Sequence, residues 1–184
     1  IEGHSFVAPT ANYQTYAIKE VLPPTYENTA VGGSRVATMI ARADDCDAKL
    51  VTETATHKNI LVVWIGVNDI DEVDVGGGQK TYDALKPYVL ARVAAGWKVF
   101  VYTMTPSTDS GRGEQFEIER DVFNGLLKSD LHNNGTIFVL DTDTVPELCD
   151  PSDTDYFESG IHPTAAGHVL SAKLLGDKLD VLSP

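Results

Sequence analysis

Residues 62–70 read Val-Val-Trp-Ile-Gly-Val-Asn-Asp-Ile. An apolar, β-branched run stops on Gly66, Asn68 and Asp69, residues that disfavour strands and favour turns. In open parallel sheets ligands gather outside the carboxyl ends of the strands, so polar side chains placed there form the working surface. The run predicts a buried strand, and its ending raises the question of what Asn68 acts upon.

Three further stretches resemble strands: ENTAVGG (27–33), WKVFVYTM (97–104) and TIFVLD (136–141), besides NILVVWIG (59–66) itself. Helical patterns separate them, over about residues 34–55, 79–95, 114–131 and 164–179. In the second of these, Tyr82, Leu85, Val89, Leu90, Ala91, Val93 and Ala94 supply an apolar face to lay on a sheet. Continuous apolar strands alternating with amphipathic helices predict an α/β fold with a parallel sheet covered on both faces. Only Ile1 and Glu2 precede Gly3, so the first strand is expected to be very short or to begin upstream. No repeat or linker divides the 184 residues, and one domain is expected.

Composition narrows the function classes. A formal charge of −13 with scattered Lys and Arg argues against nucleic acid. No run approaches the roughly 18 apolar residues of a membrane span, and no basic-then-apolar leader opens the sequence. Cys46 and Cys149 lack zinc-site spacing; both sit in acidic segments expected to be exposed, where they either pair or stay free. The acidity, the possible bridge and the tripeptide Asn134-Gly135-Thr136 lean towards an extracellular setting, although NNGT reads first as a turn.

Four stretches place small or polar residues at expected strand ends: GHSF (3–6), AVGGS (30–34), GVND (66–69) and SGIHPTAAGH (159–168). A parallel sheet brings all four to one rim. Ser5 follows Gly3 at a strand-to-helix turn, where a serine is ordinarily an N-cap but can be a nucleophile. His162 precedes Pro163, which suits the first position of a helix and holds the histidine in the loop before it. Gly33 offers an unobstructed backbone N–H and Asn68 a side-chain donor, the two components of an oxyanion hole.

Taken together these blocks resemble the SGNH hydrolases, the GDSL-like serine esterases. Gly3-His4-Ser5 resembles the first block, Asn28 to Gly33 the second, Gly66-Val67-Asn68-Asp69 the third, and His162-Pro163 the last. The resemblance implies a three-layer flavodoxin-like sandwich with five parallel strands in the order 2-1-3-4-5. It also implies ester hydrolysis by acyl transfer without a cofactor or metal, on small acyl esters such as acetyl groups, including those on carbohydrate. Ser5 would be the nucleophile, His162 its general base and then acid, and Gly33, Asn68 and the Ser5 N–H the oxyanion hole; Asp69 would brace the turn. His4 stands where the family has Asp and is read as structural.

Ser159 stands where the family's catalytic Asp belongs, three residues before His162. Breaking the Asp–His link in another triad enzyme costs about 10⁴-fold in rate. Three substitutes stay open: Glu158, Asp155, or a backbone carbonyl that orients the histidine of a Ser-His dyad, the last being slightly preferred. The contrasting reading is a catalytically inactive relative that binds glycan. GGGQKT (76–81) lacks the phosphate-loop order and is expected to be a flexible loop. DIDEVD (69–74) and DPSDTD (150–155) are read as solvated acidic loops. Tyr102, Thr103, Met104 and Thr105, with the loop 107–113, are expected to line the pocket.

Overall fold

The computed structural model describes residues 2–3, 29–54, 58–70, 75–109, 112–133 and 135–179. Strands β1 (Glu2–Gly3), β2 (Ile60–Trp64), β3 (Lys98–Tyr102) and β4 (Ile137–Leu140) form one sheet in the order β1-β2-β3-β4, every pairing parallel. Alternate side chains point to opposite faces of such strands. Leu61, Val63, Val99, Val101, Ile137 and Val139 accordingly enter one core cluster, and Val62, Phe100, Tyr102, Phe138 and Leu140 the other. Phe100 and Phe138, paired in register, stack at 4.8 Å between centroids.

Helices α1 (Val36–Ile40), α2 (Ala43–Asp47), α3 (Gly77–Ala95) and α4 (Glu114–Leu126) supply residues to the first cluster, and α5 (Ala165–Leu179) covers the second with Leu175 and Leu179. The architecture is therefore an α/β fold in three layers, with a parallel sheet in the middle. A last turn of π-helix, Leu127–Leu131, extends α4 and buries Leu127 and Leu131. None of the described helices is long and apolar enough to cross a membrane.

Several expectations give way. Residues 29–33 of the ENTAVGG stretch are not a strand. Ser34 N–H donates to the Val31 carbonyl at 3.2 Å, closing a turn with Gly33 at φ 73°, as a type II turn requires of its third residue. The described parallel sheet thus has four strands, and the five-strand order 2-1-3-4-5 is not seen among the described residues. The expected helix over 34–55 breaks into α1 and α2, and Val51–Thr54 are exposed coil. Buried Asn59 accounts for that end: its amide accepts from Val51 N–H at 3.1 Å and donates to the Val51 carbonyl at 2.8 Å. The backbone that a longer helix would use is engaged by a side chain instead.

The GGGQKT stretch is no loop; Gly77 and Gly78 open α3. Gly76 and Gly78 N–H donate to the two carboxylate oxygens of buried Glu119 at 2.8 and 2.9 Å. An internal carboxylate thus occupies the helix N-terminus, where an anion is favoured. A Cβ on Gly78 would fall 2.0 Å from the Glu119 carbonyl oxygen, so only glycine permits this crossing of α3 and α4. The inward face of α3 is Tyr82, Leu85, Tyr88, Val89 and Arg92, while Leu90, Ala91 and Ala94 point outward. Cys46 is buried rather than exposed; Cys149 is exposed, and no disulfide joins them. In the 150–155 loop, Asp150 and Asp153 carboxylates accept from Ser152 and Asp155 backbone N–H, which makes them turn residues. Asn133 plays the same part before 135–137, accepting from three successive N–H groups; Asn134 and residues 71–74 of the other acidic loop lie outside the described residues.

Candidate active site

β1 ends at Gly3 opposite Trp64, where β2 also ends. The chain leaves both strands at one rim, and the turn after β2 is built there. Gly66 has φ 116° and its carbonyl accepts from Asp69 N–H at 2.9 Å. This turn carries Asn68 to the rim.

Asn68 and Asp69 tie that rim to the segment carrying Gly33. The Asn68 amide donates to the Ser34 carbonyl at 3.2 Å. Both Asp69 carboxylate oxygens accept from Val36 N–H at 3.1 Å. Asp69 thereby caps α1, whose N-cap residue Arg35 does not cap it with its own side chain. Asp69 braces α1 as well as its own turn, as the sequence suggested in part.

His162 arrives from the opposite end of the chain. Residues Phe157–Glu158 (β5) and His162–Pro163 (β6) form a small antiparallel hairpin, with Glu158 registered opposite His162. Ser159 at φ 57° and Gly160 at φ 69° reverse the chain, and Ile161 N–H closes the turn on the Glu158 carbonyl at 3.4 Å. Two successive left-handed residues are the signature of a tight hairpin turn. Gly160 is doubly required, because a Cβ there would lie 2.1 Å from Thr108 Oγ1. Thr108 N–H donates to the Gly160 carbonyl at 2.8 Å, which docks the loop after β3 onto the hairpin. α5 then begins, with Gly167 so close to the Tyr156 carbonyl that a Cβ would approach to 2.5 Å.

These elements enclose a cavity of about 130 Å³. Asn68 and His162 both line it, with Trp64, Met104, Arg112 and His168 among the other walls. Gly33 sits one residue from the carbonyl that Asn68 holds, but it is exposed and does not line the cavity. Ser5 and His4 lie outside the described residues. Met104, Thr105 and Asp109 line the cavity as expected, whereas Tyr102 and Thr103 do not. Tyr102 is fully buried behind it with its hydroxyl on the Ser171 carbonyl at 2.5 Å, and the Thr103 hydroxyl pairs with that of Thr142 at 2.8 Å.

The charges around His162 oppose one another. Burial comes first and lowers the imidazole's pKa; Glu158 raises it, Arg112 lowers it and Asp109 raises it again, leaving it below the ordinary 6.5. Arg112 is itself committed, donating to Asp109 at 2.9 Å and to the Val67 carbonyl at 3.2 Å, so it fastens the loop after β3 to the Asn68 turn. Asp155 is the other acid open as a partner for the ring. Its backbone carbonyl accepts from the Thr164 hydroxyl at 2.6 Å.

Trp64 and His168 were not singled out in the sequence, and Arg112 only as part of the loop 107–113 expected to line the pocket. Trp64 is the last residue of its strand and His168 follows His162 by six residues on the next helix, so strand ends and the first turn of α5 were the available signals. Nothing marked Arg112 within its loop, since its role depends on how that loop folds back.

A three-layer α/β fold with an amide donor and an imidazole at the carboxyl rim of its sheet fits the acyl hydrolases. The chain belongs to the GDSL-like Lipase/Acylhydrolase family, which it matches over residues 3–170. No curated protein matches it in sequence. Among solved structures it is similar to a lipolytic protein of the G-D-S-L family from Veillonella parvula, at 18% identity and TM-score 0.70, covering 99% of this chain and 96% of that one. It is also similar to the acetyl xylan esterase AlAXEase, at 15% identity and TM-score 0.65, covering 96% and 98%. A carbohydrate esterase family 3 structure from Talaromyces cellulolyticus matches at 16% and 0.63, covering 100% and 95%. At such identities the likeness is one of fold.

Proposed function

We propose that the protein is a serine esterase that removes small acyl groups, acetyl above all, and that its natural esters are on carbohydrate. The carrying observation is that Asn68 and His162, 94 positions apart in the chain, line one cavity of about 130 Å³. A cavity of about 150 Å³ holds a benzene molecule, so this one suits an acyl group of a few carbons. Trp64, Ile65, Val67 and Met104 give it an apolar wall, while Asn68 and His162 supply donor and base.

In this reading Ser5 Oγ attacks the ester carbonyl as His162 takes its proton. Negative charge builds on the carbonyl oxygen, where the Asn68 amide and the Gly33 and Ser5 N–H groups stabilise it. The imidazolium then gives its proton to the leaving alcohol, and water releases the acyl group from Ser5 by the same path reversed. The fifth strand of a 2-1-3-4-5 sheet would pair with β1, whose other edge meets no described strand.

Turnover of p-nitrophenyl acetate, butyrate and octanoate by wild type and Ser5→Ala tests the proposal. Acetate should be the best substrate, and Ser5→Ala should fall to the buffer rate. Equal activity in Ser5→Ala removes Ser5 as nucleophile, and a preference for octanoate removes the small-acyl assignment. The binding-module reading gains its support if wild type turns over none of them yet binds acetylated xylan.

A further inference from the structure

Position 159, three residues before His162, carries no acid. We infer that Glu158, placed across the β5–β6 hairpin from His162, is the carboxylate that steadies the imidazolium formed during turnover. The inference rests on the esterase reading for its consequence, but the pairing itself is a matter of geometry.

Glu158 and His162 are direct cross-strand partners. Side chains at such positions leave the same face of an antiparallel pair, with Cβ atoms about 4.5–5.5 Å apart. A turn of different length would break this pairing. The reversal is set by Ser159 and Gly160, both left-handed, and Gly160 is locked by its contact with Thr108. Ser159 is exposed at the apex. The carboxylate at 158 thus stands on the strand facing the histidine, not in the turn.

The other charged neighbours do not serve as well. Asp109 acts on His162 in the same sense, but Arg112 holds it at 2.9 Å and acts in the opposite sense. The Asp155 backbone carbonyl is engaged by the Thr164 hydroxyl at 2.6 Å, and His168, in the same cavity wall, packs edge-on against Trp64 at 6.2 Å. No cation among the described residues is paired with Glu158, so its charge remains available to the imidazole. Among the described groups that act on the ring, Glu158 exerts the largest effect favouring the charged form.

Because Glu158 is exposed, its effect passes partly through water and is smaller than that of a buried triad acid. At such separations the Coulomb term in a partly aqueous medium corresponds to about a 3- to 10-fold rate effect, and salt screens it. Glu158 is therefore a positioning and charge-stabilising residue, not one that touches substrate.

The test compares wild type, Glu158→Gln, Asp155→Asn and Ser159→Asp on p-nitrophenyl acetate at low and high salt, with the His162 imidazole titrated by NMR in each. Glu158→Gln should lower kcat about 3- to 10-fold with KM little changed, and should move the His162 titration to lower pH. The gap from wild type should narrow at high salt, which a merely structural role would not produce. Asp155→Asn should match wild type. Ser159→Asp should leave the rate level or reduce it, since a second carboxylate would crowd the first. An unmoved His162 titration in Glu158→Gln overturns the inference, as does a several-fold gain in Ser159→Asp. The NMR titration reads the pair even if wild type hydrolyses no ester, so failure of the esterase reading remains distinguishable from failure of this one.

Discussion

Under the proposed mechanism Asn68 has two neighbours to serve, and they set what its removal should do. One N–H already holds the Ser34 carbonyl at 3.2 Å, so truncation costs about 1 kcal/mol of local order. If the amide also faces a developing oxyanion, Asn68→Ala should cut kcat by roughly 10²- to 10³-fold with KM little changed. A variant that folds normally and loses only affinity would make Asn68 a binding residue. His162 carries its own prediction. In the proposed mechanism only the neutral imidazole could accept the Ser5 proton, and burial makes the ring harder to protonate than an ordinary histidine at 6.5. Activity should therefore persist as pH falls below 6.5 and be lost at a lower midpoint, read from the acid limb of kcat/KM against pH. A midpoint above 6.5 would contradict the assignment.

Among the elements, the crossing of α3 and α4 is the most exacting. Glu119→Ala would leave the Gly76 and Gly78 N–H groups without their acceptor in a buried setting, and a loss of about 2–4 kcal/mol in urea unfolding is expected. Gly78→Ala should be at least as severe, because its new methyl meets backbone rather than a movable side chain. Neither effect was legible from GGGQKT, whose glycines look like loop until Glu119, over forty residues on, is seen to close the helix end. The strands were legible because β2, β3 and β4 are short apolar runs whose burial requires no knowledge of partners. The helix over 34–55 misled because Asn59 captures Val51 from outside the segment, and a periodic pattern holds no trace of that bond. Leu90 misled for a simpler reason: hydrophobicity marks a candidate for burial, but Arg92 is the residue turned inward, held by the Ala43 carbonyl at 2.9 Å and by Asp47. At the site, Asn68 and His162 were legible because turn chemistry after an apolar run marks the rim. Glu158 was legible only as one option of three, since the register that favours it is set by a turn.

At the scale of the whole molecule, nothing covalent ties the layers together among the described residues: Cys46 is buried, Cys149 exposed, and no disulfide joins them. A thiol reagent should modify Cys149 in the native protein and Cys46 only on unfolding, and reductant should leave Tm unchanged. Burial and the neighbouring Asp143 raise the Cys149 pKa, so its labelling should be slow near neutrality. Two labels taken up at equal rates by the folded protein would contradict the buried position of Cys46. The chain also holds two tryptophans. Trp97 is buried at the start of β3, its indole N–H on Asp47 at 2.9 Å. Trp64 ends β2 on the cavity wall, stacked on Tyr102 at 4.7 Å. Registered strands put them about five residues apart along the sheet, roughly 16 Å. One indole can feel an arriving ligand while the other stays in a fixed environment, so the protein carries both a fluorescent reporter and its internal reference, and Trp97→Phe would leave an emission that follows occupancy of the cavity alone.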